Sequence, residues 1–205
     1  MFPDLLRDDV FRLETARLWL RWPRSADVPA LLTLGGEREV AEMTASIPHP
    51  YTKQDAANWT FASRAGNANG DAIVLALTLK DRPGDAIGAI GLHAGRGNSG
   101  GLNRNAMLGF WLGRPYHGRG LMSEAAGSLT GLAFKLGAVD EIYARTRVEN
   151  APARRVLEKC GFAPDGEGPV DLAARNGVFV CARYLLRPGS DRMADNVAET
   201  AALAP

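Results

Sequence analysis

A chain of 205 residues with 24 Lys or Arg and 23 Asp or Glu has a net charge of +1, and 46% of its residues are hydrophobic. That length fits one globular domain with a sizeable core, and the apolar share excludes a disordered chain. The near-zero charge argues against a nucleic-acid binder that works by bulk phosphate attraction. No run of about 18 apolar residues is available to span a membrane. The acidic start, MFPDLLRDD, has no secretory apolar region. Cys160 and Cys181 are too few for a disulfide framework or a zinc site, so a reduced, cytoplasmic setting is expected, without metal.

Residues 1–10 read as an N-terminal extension. Residues 11–22 alternate, with Leu18, Leu20 and Trp22 on one face, which predicts a strand. Asp27 before Val28-Pro29 reads as a helix cap. Further helical pieces are expected over 37–43 and 53–65, the latter with Ala57, Phe61 and Ala65 as its apolar face. Residues 72–80 and 86–93 flank the turn Asp81-Arg82-Pro83-Gly84-Asp85 and predict a hairpin. A Gly- and Asn-rich stretch, 95–104, reads as a mobile loop, and 106–113 as a third strand. An amphipathic helix follows over 121–136, closed by Gly137 as a left-handed cap. Residues 141–148 predict a strand, Asn150 to Gly161 a helix, and Phe162 onward and 177–186 the last two strands. The domain is expected to span 11–187, with a flexible tail over 188–205. Strands in succession followed by a strand–helix–strand crossover make this an α+β chain, not a doubly wound sheet.

The stretch FWLGRPYHGRGLMSEAAGSL, residues 110–129, carries the chemistry. A strand gives way to a glycine-containing loop and then to a helix. A helix start has unpaired N–H groups and the positive end of the dipole, which favour an anion. Gly118 and Gly120 permit positive φ and a close backbone approach, and Arg114 and Arg119 add charge. The pattern reads either as a diphosphate cradle or as a tight strand–helix turn. It lacks the Gly-Lys-Ser/Thr of a P-loop, and Ser123 stands where a dinucleotide fingerprint wants its third glycine.

RPYHGRGLMSEA, residues 114–125, resembles motif A of the GCN5-related N-acetyltransferases (GNAT), in the branch of the RimJ and RimL type. LETARLWLRWPRSAD (13–27) is similar to that branch's opening strand, IGAIGLH (87–93) to its central strand, and VENAPARRVLEKCGF (148–162) to its motif B. The resemblance runs over about residues 12–187, in order. It implies a mixed, mostly antiparallel sheet with a splayed parallel strand pair, flanked by helices on both faces. It implies acetyl-CoA as cosubstrate and a primary amine, on a protein N-terminus or a small molecule, as acceptor. It also implies a monomer or homodimer, with no nucleic acid and no membrane as partner.

By the same resemblance, Phe110, Trp111 and Leu112 offer backbone groups to the pantetheine arm. Arg114, His117, Gly118, Arg119, Gly120, Leu121 and Met122 surround the diphosphate, Asn150 meets the pantetheine arm, and Arg155 lies near the adenosine. Asn150 also reads as a plain N-cap, and His93 as either a core histidine or an acceptor-cleft residue. Catalytic candidates are His117, His93, Tyr116 and Glu42. Tyr143 and Tyr184 stand beside Tyr116 as further sources of a proton. Three family positions depart: Ala153 and Leu157 stand where relatives carry Ser or Tyr as proton donor, and Met107 where an acid is common. The departures leave open a non-catalytic CoA- or acyl-CoA-binding module. A plain nucleotide-phosphate binder using the same loop is a third reading.

Overall fold

The structure, a computed structural model, describes residues 1–95 and 104–189. Eight strands form one sheet in the order β1-β2-β3-β4-β5-β6-β8-β7. They are β1 Arg12–Glu14, β2 Leu18–Arg21, β3 Ala72–Leu79, β4 Arg82–Ala94, β5 Asn105–Leu112, β6 Glu141–Arg147, β7 Ala163–Leu172 and β8 Gly177–Leu186. Every neighbour pair is antiparallel except β5 and β6, which run parallel. The helices are α1 Val28–Gly35, α2 Arg38–Ala41, α3 Lys53–Asn69, α4 Leu121–Lys135 and α5 Ala151–Lys159. Helix α4 is the crossover between the two parallel strands, as a parallel pair requires.

Both sheet faces are covered, and β3 shows it best, because all of its residues are buried. Ile73, Leu75, Leu77 and Leu79 join Leu18, Leu20, Leu121, Ala125 and Leu129 in the main core, on the side of α4. Ala76 faces the other way, with Val28 and Leu31 of α1 and Ala56 of α3. A strand alternates its side chains between faces, so a run apolar at every position signals two covered faces. The mixed α+β architecture implied by the resemblance is the one observed.

Three expectations change in detail. The strand over 11–22 is two strands, β1 and β2, joined by a turn at Thr15-Ala16-Arg17 in which Thr15 N–H donates to Leu18 O at 3.0 Å. The apolar stripe of α3 is not Ala57, Phe61 and Ala65, since Phe61 is 77% exposed. The buried stripe is Ala56, Thr60, Ser63 and Asn67. Asn67 lies against the edge of β3 beyond β2, where its amide takes both backbone groups of Val74 (2.7 and 2.9 Å). A polar residue is buried there because the backbone beneath it needs a partner. Asp27 makes no cap bond to α1. Its carboxylate accepts from both terminal nitrogens of Arg21 (2.8 Å each) and from Arg24 N–H (2.7 Å). A buried guanidinium without a counter-charge would cost far more than a missing cap.

Residues 1–10 pack onto the domain: Phe2 and Leu6 are buried in the main core, and the amino terminus donates to Gly70 O at 3.0 Å. Most of the loop over 95–104 and nearly all of the tail over 188–205 lie outside the described residues. Among the described residues, no helix is long and apolar enough to cross a membrane.

Candidate active site

The parallel pair sets the site. Strands β5 and β6 pair from Asn105 and Glu141 only as far as Leu108 and Ala144. Past that point β5 stays on β4 up to Leu112, and β6 stays on β8 up to Arg147. Each strand holds its outer neighbour while the inner edges part. Gly95 N–H donates to Asn105 O and Gly113 N–H to Ile87 O, so the odd-numbered residues of this stretch bond toward β4. By alternation, the N–H and C=O of Phe110 and Leu112 face the gap.

A cleft of about 510 Å³ opens at this divergence. Phe110, Trp111, Leu112, Arg114, His117, Gly118, Gly120, Leu121, Met122, Asn150 and Arg155 all line it. Of the residues expected to hold cofactor, only Arg119 is absent from the wall. Its side chain is exposed, and its carbonyl is held from outside by Arg17 Nη1 at 2.8 Å. The chain between β5 and α4 passes through a 3₁₀ turn at Arg114–Tyr116 and two left-handed glycines, Gly118 and Gly120, each with φ of 72°. Among the described residues, no protein acceptor takes the N–H groups of Gly120, Leu121, Met122 and Ser123. Those amides lie where the dipole of α4 is positive, and together they make a concavity for an anion.

The side chains around the nest are partly committed elsewhere. Arg114 pairs with Glu39, and both residues line the cleft. Asn150 caps α5: its side chain accepts from Ala153 N–H at 3.2 Å and donates to Met43 O at 3.4 Å. Both readings of Asn150 therefore meet in one place, since it also lines the cleft. His117 Nε2 lies 2.7 Å from Leu112 O. A carbonyl only accepts, so Nε2 carries the proton and Nδ1 is left as the acceptor.

The remaining candidates separate by position. Tyr116 lines the cleft, whereas the Tyr184 hydroxyl, at the end of a buried ring, is taken by Arg154 (3.0 Å) and the exposed Glu158 (3.2 Å) outside the cleft wall. Tyr143 is paired in register with Met107, on the closed part of the strand pair and outside the cleft wall. His93 is not a core histidine. It is exposed, opposite Met107 in the β4–β5 register and outside the cleft wall. Neighbouring chain still desolvates its ring enough to lower its pKa below the usual 6.5. Glu42 is paired with Arg38 at 2.6 Å and also lies outside the wall; the hydrogen bond from Arg38 lowers its pKa. Ala153 does line the cleft, while Leu157 is buried in the core, so neither position supplies a hydroxyl.

Sequence reasoning missed Lys159, Ser123 and the α2 wall of Glu39, Val40, Met43 and Thr44. Lys159 was within reach, since it stands four residues after Arg155 and so shares its helix face. The helical piece over 37–43 is legible, but so short a segment carries no period that tells which of its residues, or Thr44 after it, face a cleft.

The chain matches the acetyltransferase (GNAT) domain family over residues 17–163. It is 30% identical over 97 residues to YdaF of Bacillus subtilis (strain 168), named as a ribosomal N-acetyltransferase; the match covers 47% of this chain and 48% of that relative. The chain thus spans about half the length of the curated relative it matches. A ribosomal-protein-serine acetyltransferase structure from Vibrio cholerae superposes with a TM-score of 0.74 at 18% identity, covering 88% of this chain and 99% of that one. Mycobacterium smegmatis RimJ in complex with CoA-disulfide gives 0.69 at 19% identity, over 83% and 82%. At these identities the two structures establish a shared fold.

Proposed function

The chain belongs to the GNAT acetyltransferase family, and from that premise we propose that it moves the acetyl group of acetyl-CoA to a primary amine by direct attack within a ternary complex. The observation that carries this reading is the parting of β5 and β6 beside unpartnered amides at the start of α4. The donor set fits the cosubstrate. The free edge of β5 offers strand-type pairing to a pantetheine amide, as an added strand would take it. The amides of residues 120–123 suit a diphosphate, and Arg155 and Lys159 on the cleft wall suit the further phosphate charge.

Holding amine and thioester in one cleft supplies much of the rate. The N–H of Leu112, aimed into the gap, is placed to polarise the thioester carbonyl. An amine must be neutral to attack, and His117, held at the strand end by Nε2 on Leu112 O, has Nδ1 left to take its proton, directly or through water. Tyr116 is the one tyrosine on the cleft wall and the proton donor for the departing thiolate. The names carried by YdaF and by the Vibrio cholerae structure favour a protein N-terminus over a small amine as acceptor.

A second reading rests on Ala153, a methyl group at the cleft position where a hydroxyl donor is common in the family. It takes the chain as a CoA- or acyl-CoA-binding module without turnover. Calorimetric titration with acetyl-CoA, followed by thiol release against a panel of peptides and small amines, separates the two. Sub-millimolar binding with thiol release upholds the transferase; binding without release from any amine favours the module. No binding at all removes both.

A further inference from the structure

Arg17 stands in the β1–β2 turn, over 100 residues from the phosphate loop in sequence. Its guanidinium nonetheless joins two parts of that loop. Nη1 donates to Arg119 O at 2.8 Å, and Nε donates to Glu124 Oε2 at 2.6 Å. Its backbone N–H donates to Glu124 Oε1 at 2.7 Å, and Thr15 Oγ1 donates to the same oxygen at 2.6 Å. Neither Arg17 nor Glu124 lines the cleft. We infer that Arg17 is a positioning residue for the diphosphate loop, acting on the cosubstrate from outside the site; the inference rests on the acetyl-CoA reading above.

Two physical effects follow from the contacts. In a trans peptide the carbonyl and the next N–H point in opposite directions. With Arg119 O drawn outward to Arg17, the N–H of Gly120 is turned inward. The cleft wall agrees: Gly118 and Gly120 line it, and Arg119 between them does not. Without the guanidinium, two left-handed glycines leave this peptide free to flip and present its oxygen to the anion.

The second effect is electrostatic. Glu124 lies in the first turn of α4, where a carboxylate suits the helix dipole of the free protein but repels a diphosphate at the same helix end. Burial works against its ionisation, yet the hydrogen bonds from Thr15 and Arg17 prevail and hold its pKa below the usual carboxylate value. It is therefore charged at neutral pH, and Arg17 supplies the compensating charge.

The test compares wild type, Arg17→Ala, Arg17→Lys, Glu124→Gln and the double variant Arg17→Ala/Glu124→Gln. The readouts are calorimetric CoA affinity and kinetics with acetyl-CoA and with acetyl-pantetheine, which lacks the diphosphate. Arg17→Ala is expected to weaken CoA binding about tenfold or more, the scale of one charge-assisted contact. KM for acetyl-CoA should rise by the same factor with kcat unchanged, and kcat/KM for acetyl-pantetheine should not move. The double variant should recover part of the loss, because the uncompensated carboxylate is gone; Arg17→Lys, which keeps charge but not the fork, should fall between. Unchanged CoA affinity in a folded Arg17→Ala protein, or equal losses for CoA and acetyl-pantetheine, overturns the inference. If Arg17→Ala does not fold, Arg17→Lys and Glu124→Gln decide, and equal behaviour of both toward the two thioesters overturns it. Absence of CoA binding in the wild type defeats the acetyl-CoA reading itself, and the inference with it.

Discussion

The two ends of the cleft are built from different materials. At the end proposed for the diphosphate, between Gly118 and Ser123, the groups on offer are backbone amides set by two left-handed glycines and a helix start. At the reacting end, near Leu112, Tyr116 and Ala153, only a few side chains can move a proton. Backbone recognition depends on chain geometry and tolerates changes in nearby side chains. Proton transfer depends on individual polar atoms and is lost when one is replaced by a methyl group. The contrast teaches that substitutions at the amide end should shift affinity, and substitutions at the other end should shift turnover.

The largest effect is expected at the reacting end. Tyr116→Phe should lower kcat about 100-fold if the phenol protonates the thiolate, with CoA affinity by calorimetry unchanged. A variant with wild-type kcat would move the donor to water. The reverse experiment, Ala153→Ser, returns a hydroxyl to the cleft wall and should raise kcat several-fold, on the order of a modest part of a general acid's contribution; KM for acetyl-CoA should stay put.

At the diphosphate end, Gly118→Ala should weaken CoA binding about tenfold. A Cβ at Gly118 meets no protein atom within 4 Å, so the loss reports a free loop that relaxes out of the left-handed conformation, which costs an alanine about 1–2 kcal/mol, together with any contact of the methyl with the ligand. An unchanged affinity would mean that the loop does not need this conformation to bind. Asn150→Ala sits between the two ends. Loss of the α5 cap should cost about 1 kcal/mol of stability, or a few degrees in melting temperature, and a loss of CoA affinity beyond that would assign Asn150 a ligand contact as well.

The smallest effect is in acid. Glu124 has its pKa depressed in the folded chain, so its contribution to stability is present above the usual carboxylate pKa and is lost as pH falls through the folded value. Melting curves carried from pH 7 to well below the usual carboxylate pKa should therefore fall more steeply for wild type than for Glu124→Gln, with the divergence opening only below that pKa. Parallel curves would show that the Arg17–Glu124 pair adds nothing to folding.

Much of the frame was legible because it rests on local rules. The alternation of Leu18, Leu20 and Trp22 sets a core face whether or not the strand breaks at Thr15. Gly118, Gly120 and Gly137 mark left-handed positions, and each has positive φ. Other residues misled because a distant partner outweighed the local signal. Asp27 looks like a cap until Arg21 claims it. Phe61 looks like part of an apolar face until the face of α3 that meets the sheet proves to be Ala56, Thr60, Ser63 and Asn67.

The sequence by itself determined the order of strands and helices, the glycine-turned loop before α4, and the absence of a hydroxyl at residues 153 and 157. These follow from side-chain period, from φ restrictions and from composition, which act within a few residues. The parting of β5 from β6, the wall supplied by α2, and the grip of Arg17 on a loop far along the chain were decided only in three dimensions. Each depends on which surfaces meet across the sheet, and no periodicity within a single segment encodes that.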